Sequence, residues 1–248
     1  MKKTFALTVL IMSLSLVLFS FSKATDNSPS ISEKTMPIDT TSVVAETDAA
    51  KTLSNNIYDN LHLQDAGLSQ DAVYYAVKGY EKLKEKGEVD NDRYLTIVDL
   101  SQSSRKKRFY ILDMQNDQLV WNTYVAHGKN SGVDEATRFS NSFNSDESSL
   151  GFYITKNTYT GKHGLSLRIS GQEAGFNDNA EARGVVVHGA PYVSANRVNT
   201  PYMGRSQGCP ALPVNEYSHV INIIKGGTVL FVYHPDSNYL QDSQLLNS

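Results

Sequence analysis

One cysteine in 248 residues rules out a disulfide within the chain, so the fold rests on packing and hydrogen bonds. Charge of one sign is also missing. Lys and Arg number 23 against 26 for Asp and Glu, a net of −3, which implies no nucleic-acid partner. The sole dense basic run, Arg105-Lys106-Lys107-Arg108, precedes the strand-like Phe109–Leu112 and reads as a solvated hairpin turn. There is no Gly-rich phosphate loop and no internal repeat. His127, His163 and His219 stand apart from one another, without a two-His helix motif or a Cys-rich zinc pattern, so neither a metal nor an organic cofactor is expected. Long apolar runs are absent beyond the first residues. There Lys2-Lys3 precede Phe5–Phe21, and Ser20, Ser22 and Ala24 offer cleavage sites, the pattern of a secretory signal. The expected location is outside the cytoplasm, in the periplasm or cell envelope, with an uncleaved membrane anchor as the lesser alternative. The apolar segment contains no Cys, which excludes lipoprotein acylation there.

What is present divides the chain into a signal peptide (1–24), a flexible Ser/Thr/Asp/Ala-rich linker (25–53), a helical segment (54–91), a main domain (92–236) and a tail (237–248). Ser69 is placed to cap a helix whose Ala72, Val73, Ala76, Val77, Tyr80 and Leu83 recur at helical spacing, and Gly87 follows its Lys-rich end. From Tyr94 the period changes. Tyr94–Val98, Phe109–Leu112, Leu119–Val125, Gly151–Tyr159, Gly184–His188 and Thr228–Tyr233 read as strands, and Val214 to about Lys225 as one more helix. The architecture implied is mainly β, a sandwich or open barrel with few short helices.

The lone thiol, Cys209, lies in Arg205-Ser206-Gln207-Gly208-Cys209-Pro210, a loop composition unlike that of core filling. An unpaired thiol in an exported protein points to reactivity. His188-Gly189 ends the apolar run Val185–Val187 upstream. A thiol attacks as thiolate, and an imidazole can take its proton. Gly208 lets backbone N–H groups approach a developing oxyanion. Asn177 and Asn179 read as Asx-turn residues.

These residues resemble the L,D-transpeptidase (YkuD-like) catalytic domain, in its murein L,D-transpeptidase subgroup. The pattern is His-Gly after an apolar strand, a spacer of 17 residues (189–205), then Ser-x-Gly-Cys. The likeness extends through Ser148–Tyr153, Gly161–Leu167, Gly175–Ala180, Tyr192–Ser194 and Cys209-Pro210-Ala211, covering roughly 92–236. It implies that the fold is the YkuD-like β-sandwich or open barrel and that Cys209 is the nucleophile. It further implies that His188 is the base, that the Gly189 carbonyl orients its ring, and that the N–H groups of Gly208 and Cys209 form the oxyanion hole within a site loop of Ser206, Gln207 and Gly208. Arg205, Tyr192, His163 and Arg183 are candidate substrate contacts. The implied partners are peptidoglycan stem peptides and carbapenem β-lactams. A thiolate held by a protonated His188 would have a depressed pKa.

Two positions depart from most members. Gln207 stands where a second His is usual, and Pro210-Ala211 stand where an apolar residue and an Arg or Asn are usual. Arg205, Arg197 or Arg183 are candidates to supply charge instead. Two other readings stay open: an L,D-carboxypeptidase or endopeptidase, and a wall-binding module with a silent Cys209.

Overall fold

A computed structural model describes residues 40–247. The expected signal peptide and residues 25–39 of the expected linker lie outside the described residues. The rest of that linker is helical, because α1 runs from Thr40 to Asn60. Its Ile57 is buried with Leu63 and Leu68 of the turn that follows, and the Tyr58 hydroxyl donates to the Leu68 carbonyl at 3.2 Å. α2 (Gln70–Glu85) begins where the cap predicts, with Ser69 Oγ accepting from the Ala72 N–H at 3.2 Å. All six positions of its predicted apolar stripe are buried.

The strands are β1 (Tyr94–Asp99), β2 (Phe109–Asp113), β3 (Gln118–Thr123), β4 (Gly151–Gly161), β5 (Gly164–Gly171), β6 (Val186–Ala190), β7 (Ala211–Pro213) and β8 (Val229–Tyr233). They form one sheet in the order β3-β2-β1-β8-β4-β5-β6-β7. β1–β8 and β6–β7 pair parallel, and the other neighbours pair antiparallel. The two outer strands are brought back toward each other, since the chain just beyond β3 bridges to the β7 side through Ala126–Ala211 and Gly128–Ser206. The fold is therefore the mainly β, nearly closed barrel with few short helices that the sequence implies. β1, β2 and β8 are buried almost throughout. α2 packs on β1 and β8, and α3 (Tyr217–Ile224) on β6, β5 and β1.

Two expectations about single residues change, and the C-terminal tail takes a definite structure: α4 (Ser237–Asp242) and α5 (Gln244–Asn247) bury Tyr239, Leu245 and Leu246. Arg108 is not solvated with its basic neighbours but fully buried. Its guanidinium donates to the Gln102 carbonyl (2.7 Å), the Val125 carbonyl (3.1 Å) and His127 Nδ1 (2.7 Å). Arginine offers only donors, so Nδ1 is the acceptor and Nε2–H faces the Gly132 carbonyl at 3.3 Å. Burial and the Arg108 charge push the His127 pKa down to about 3, so the ring stays neutral. Asn177 is no surface Asx-turn residue either. It is buried, accepts from the Glu173 N–H at 2.9 Å, and donates to the Leu150 and Phe152 carbonyls at 3.0 Å each.

Glu173 ties the folded tail to β4. Its buried carboxyl accepts from the Phe152 N–H (2.8 Å), the Tyr239 hydroxyl (2.9 Å) and the Ser243 hydroxyl. Burial raises its pKa, and those hydrogen bonds offset only part of the rise. A carboxyl whose pKa is higher folded than unfolded contributes stability below its unfolded value and loses it as pH rises through the folded one. Melting curves of wild type and Glu173→Gln from about pH 4 upward are expected to converge or cross, wild type losing stability relative to the Gln variant as pH rises. Parallel curves would contradict this.

Candidate active site

Cys209 follows β6 in space as well as in sequence. β6 and β7 pair with His188 opposite Ala211, and the His188 N–H donates to the Pro210 carbonyl at 3.4 Å. The loop before the thiol is held by Ser206, which is buried. Its N–H donates to the His127 carbonyl (2.9 Å), its carbonyl accepts from the Lys129 N–H (2.8 Å), and its hydroxyl donates to the Cys209 carbonyl (2.7 Å). That same hydroxyl oxygen accepts from the Gly208 N–H at 3.1 Å. Gly208 has φ +113°, and a Cβ there would lie 2.8 Å from the Glu147 carbonyl oxygen, so only glycine fits.

The two N–H groups expected to form the oxyanion hole differ in the resting structure. The Gly208 N–H is already occupied by Ser206. The Cys209 N–H makes no hydrogen bond to another residue among the described residues, and it is the group left to meet an oxyanion.

The thiol lies in a cleft of about 500 Å³ lined by Tyr159, Lys162, His163, Arg183, Gln207 and Cys209, with Gly184–Val186 behind them. Sγ accepts from the Val186 N–H at 3.5 Å and faces the Gly184 carbonyl at 3.9 Å. Neither contact is to the His188 ring. Burial pushes the thiol pKa up, opposed by the Val186 N–H, Arg183, Lys162 and its own N–H. The depressed thiol pKa expected from the sequence is thus reversed at rest.

His188 is buried, and its Nδ1 lies 2.9 Å from the Gly189 carbonyl oxygen. A carbonyl only accepts, so Nδ1 carries the hydrogen and Nε2 the lone pair. Burial lowers the ring's pKa, the Gly189 carbonyl raises it, and His163 and Lys162 lower it further. Gly189 itself leaves room for α3, because a Cβ there would sit 2.6 Å from the Tyr217 ring.

The remaining sequence candidates divide. His163, at the two-residue tip between β4 and β5, lines the cleft and stacks on His188 with centroids 4.3 Å apart. Arg183 also lines it, anchored on the Ser140 and Glu147 carbonyls at 2.8 Å each. Tyr192 does not line it but lies near enough for the thiol to contribute, after burial, to a pKa pushed up to about 12. Arg205 is not brought to the cleft. It donates to the Lys129 (3.0 Å) and Gly132 (3.2 Å) carbonyls and covers the Tyr202 ring. Sequence reasoning missed Lys162, Tyr159, Ser166 and the Val186 N–H. Lys162 was visible inside Gly161-Lys162-His163-Gly164. The Val186 amide, a backbone group, carried no side-chain signal.

The sequence profile of the L,D-transpeptidase catalytic domain matches residues 64–233. The chain belongs to that family. The matched span begins inside the helical segment and takes in α2. Comparison with curated protein sequences gives no match. Similar solved structures include an L,D-transpeptidase from Mycobacterium smegmatis, 14% identical, covering 57% of this chain and 59% of that one, TM-score 0.37. An LD transpeptidase in complex with imipenem is 16% identical, covering 58% and 60%, TM-score 0.37. The L,D-transpeptidase (Yku) from Stackebrandtia nassauensis is 14% identical, covering 76% and 78%, TM-score 0.34. The match thus spans about three fifths of the first two of these chains.

Because Cys209 is the only thiol, its titration can be read directly from iodoacetamide rates against pH. The midpoint is expected above the free-thiol value of about 8.5, and higher still in Lys162→Gln, which removes a charge favouring the thiolate. A midpoint below the free-thiol value would contradict the geometry described.

Proposed function

We propose that this chain is an exported cysteine peptidyltransferase acting on peptidoglycan stem peptides. The observation that carries the reading is the thiol lining an open cleft, on a segment whose next residue, Pro210, accepts the His188 N–H, so that the strand bearing a neutral imidazole of fixed tautomer runs alongside it. The family assignment supplies the reaction class, L,D-transpeptidation.

In the first step Cys209 Sγ attacks the carbonyl of the third stem residue. The S–C bond forms, the thiol proton passes to His188 Nε2, and the carbonyl oxygen meets the Cys209 N–H. Collapse breaks the C–N bond and releases the terminal D-alanine, its amine taking the proton from His188. In the second step an amine of another stem attacks the thioester. The C–N bond forms, the C–S bond breaks, and the amine's proton returns through His188 to sulfur.

At rest both partners are neutral, and the thiol is bonded to the Val186 N–H rather than to the ring. Proton transfer therefore belongs to the substrate-bound state, in which the thiol must turn toward Nε2. Lys162 and Arg183, which favour the thiolate, lower the cost of that step. A carbapenem presents an acyl carbonyl to the same sulfur and is proposed to acylate it. The apolar run at residues 5–21 agrees with export to the compartment where this substrate is found.

The test is mass spectrometry of tetrapeptide stems incubated with the protein. Loss of the terminal residue with formation of a cross-linked dimer is expected. Free tripeptide alone would favour hydrolysis. Cys209→Ala should abolish both products while its melting temperature stays close to wild type. Turnover at the wild-type rate in that variant would overturn the nucleophile assignment.

A further inference from the structure

The cleft has charge of one sign. Among its lining residues are Lys162 and Arg183 and no carboxylate. Arg183 is bonded only to neutral acceptors: the Ser140 and Glu147 carbonyls and the Ser145 and Ser149 hydroxyls. Lys162 has no hydrogen-bonding or ion-pair partner among the described residues. It is exposed at the tip of the β4–β5 turn, on the rim of the cavity that contains Cys209. A third cation, Arg168, stands behind the rim with its guanidinium 4.5 Å from the Tyr159 ring centroid. Surface lysines are common. This one differs in facing a cavity whose other charged side chain is also cationic and without a carboxylate partner. Its charge reaches both Cys209 and His188. Two such charges around one cavity form a field that an anionic ligand would complete.

We infer that Lys162 is a specificity-determining residue that reads a carboxylate on the acyl donor, with Arg183 behind it. The inference rests on the transpeptidase reading above and adds a residue and a charge requirement to it. A stem donor offers two sources of that carboxylate: the C-terminus of the residue being expelled, and a side-chain carboxyl of the residue being transferred. The chemistry is the same for both, and the experiment separates them.

The experiment compares three tetrapeptide donors: one with both carboxylates free, one amidated at the C-terminus, and one amidated on the side-chain carboxyl. Each is assayed with wild type, Lys162→Gln and Lys162→Arg. Wild type should lose about tenfold in kcat/KM on one of the amides, the size expected for a charge-assisted contact that is partly exposed to solvent. Lys162→Gln should fall by a similar factor on the unmodified donor over and above its loss on that amide, which reports only the lysine's effect on the thiol. On the other amide it should fall as it does on the unmodified donor. Lys162→Arg should restore most of the discrimination.

If Lys162→Gln slows all three donors equally, the lysine acts on the thiol and not on a substrate carboxylate, and the inference is overturned while transpeptidation stands. Equal wild-type rates on all three donors overturn it as well. Calorimetric binding of the same donors to Cys209→Ala gives a reading independent of turnover. Tighter binding of the unmodified donor, lost on replacing Lys162, supports the inference even if no donor is turned over. Equal binding of all three overturns it.

Discussion

Arg108 is buried completely, and its guanidinium is shared between two carbonyls and the neutral ring of His127. No carboxylate lies at hydrogen-bond distance; the charges of Asp99 and Asp134 favour the guanidinium from farther off. The rest of the site depends on this contact. It fixes the segment 125–128 that runs from β3 across to β7, and that segment closes the barrel through Ala126–Ala211 and Gly128–Ser206. The His127 carbonyl then receives the Ser206 N–H, and the Ser206 hydroxyl clamps the Gly208 N–H and the Cys209 carbonyl. Replacing Arg108 by an apolar residue would strip donors from buried acceptors, each worth on the order of 1–3 kcal/mol when left unsatisfied. The position of Cys209 is thereby coupled to barrel closure.

This coupling explains why the site's groups come from such distant parts of the chain. β6 contributes His188 and the Val186 N–H, and the β4–β5 tip contributes Lys162 and His163. Strand pairing alone places Ser166 opposite His188. Gln207, in place of the second His usual in the family, is exposed on the cleft wall. An imidazole nonetheless lines the cavity that contains the thiol, because His163 reaches it from the hairpin tip and stacks on His188.

Much of this was legible in the residues. The α2 stripe and its Ser69 cap follow from spacing and hydrogen-bonding capacity. The His-Gly and Ser-x-Gly-Cys pair marks the site because few other roles require those residue types together. β5 was missed although Leu165, Leu167 and Ile169 alternate, since glycines bound it and Ser and Arg interrupt it. β7 has only three residues and ends in proline, a composition that argues against a strand. The burial of Arg108 could not be read from a run of four basic residues, since it depends on acceptors at 102, 125 and 127 that only the closed barrel assembles. The thiol's raised pKa was hidden for the same reason. Motif logic supplies an imidazole, but the balance of burial against Val186, Arg183 and Lys162 is a property of the cavity.

The central claim is that acyl transfer passes through a thioester on Cys209. Rapid quenching of the protein with a stem tetrapeptide, followed by proteolysis and peptide mapping, locates the acyl group. The account predicts a hydroxylamine-labile tripeptidyl adduct on the fragment containing Cys209, formed and consumed at rates that match turnover. An adduct on a different residue, or turnover with no covalent intermediate under conditions that trap thioesters, would contradict it.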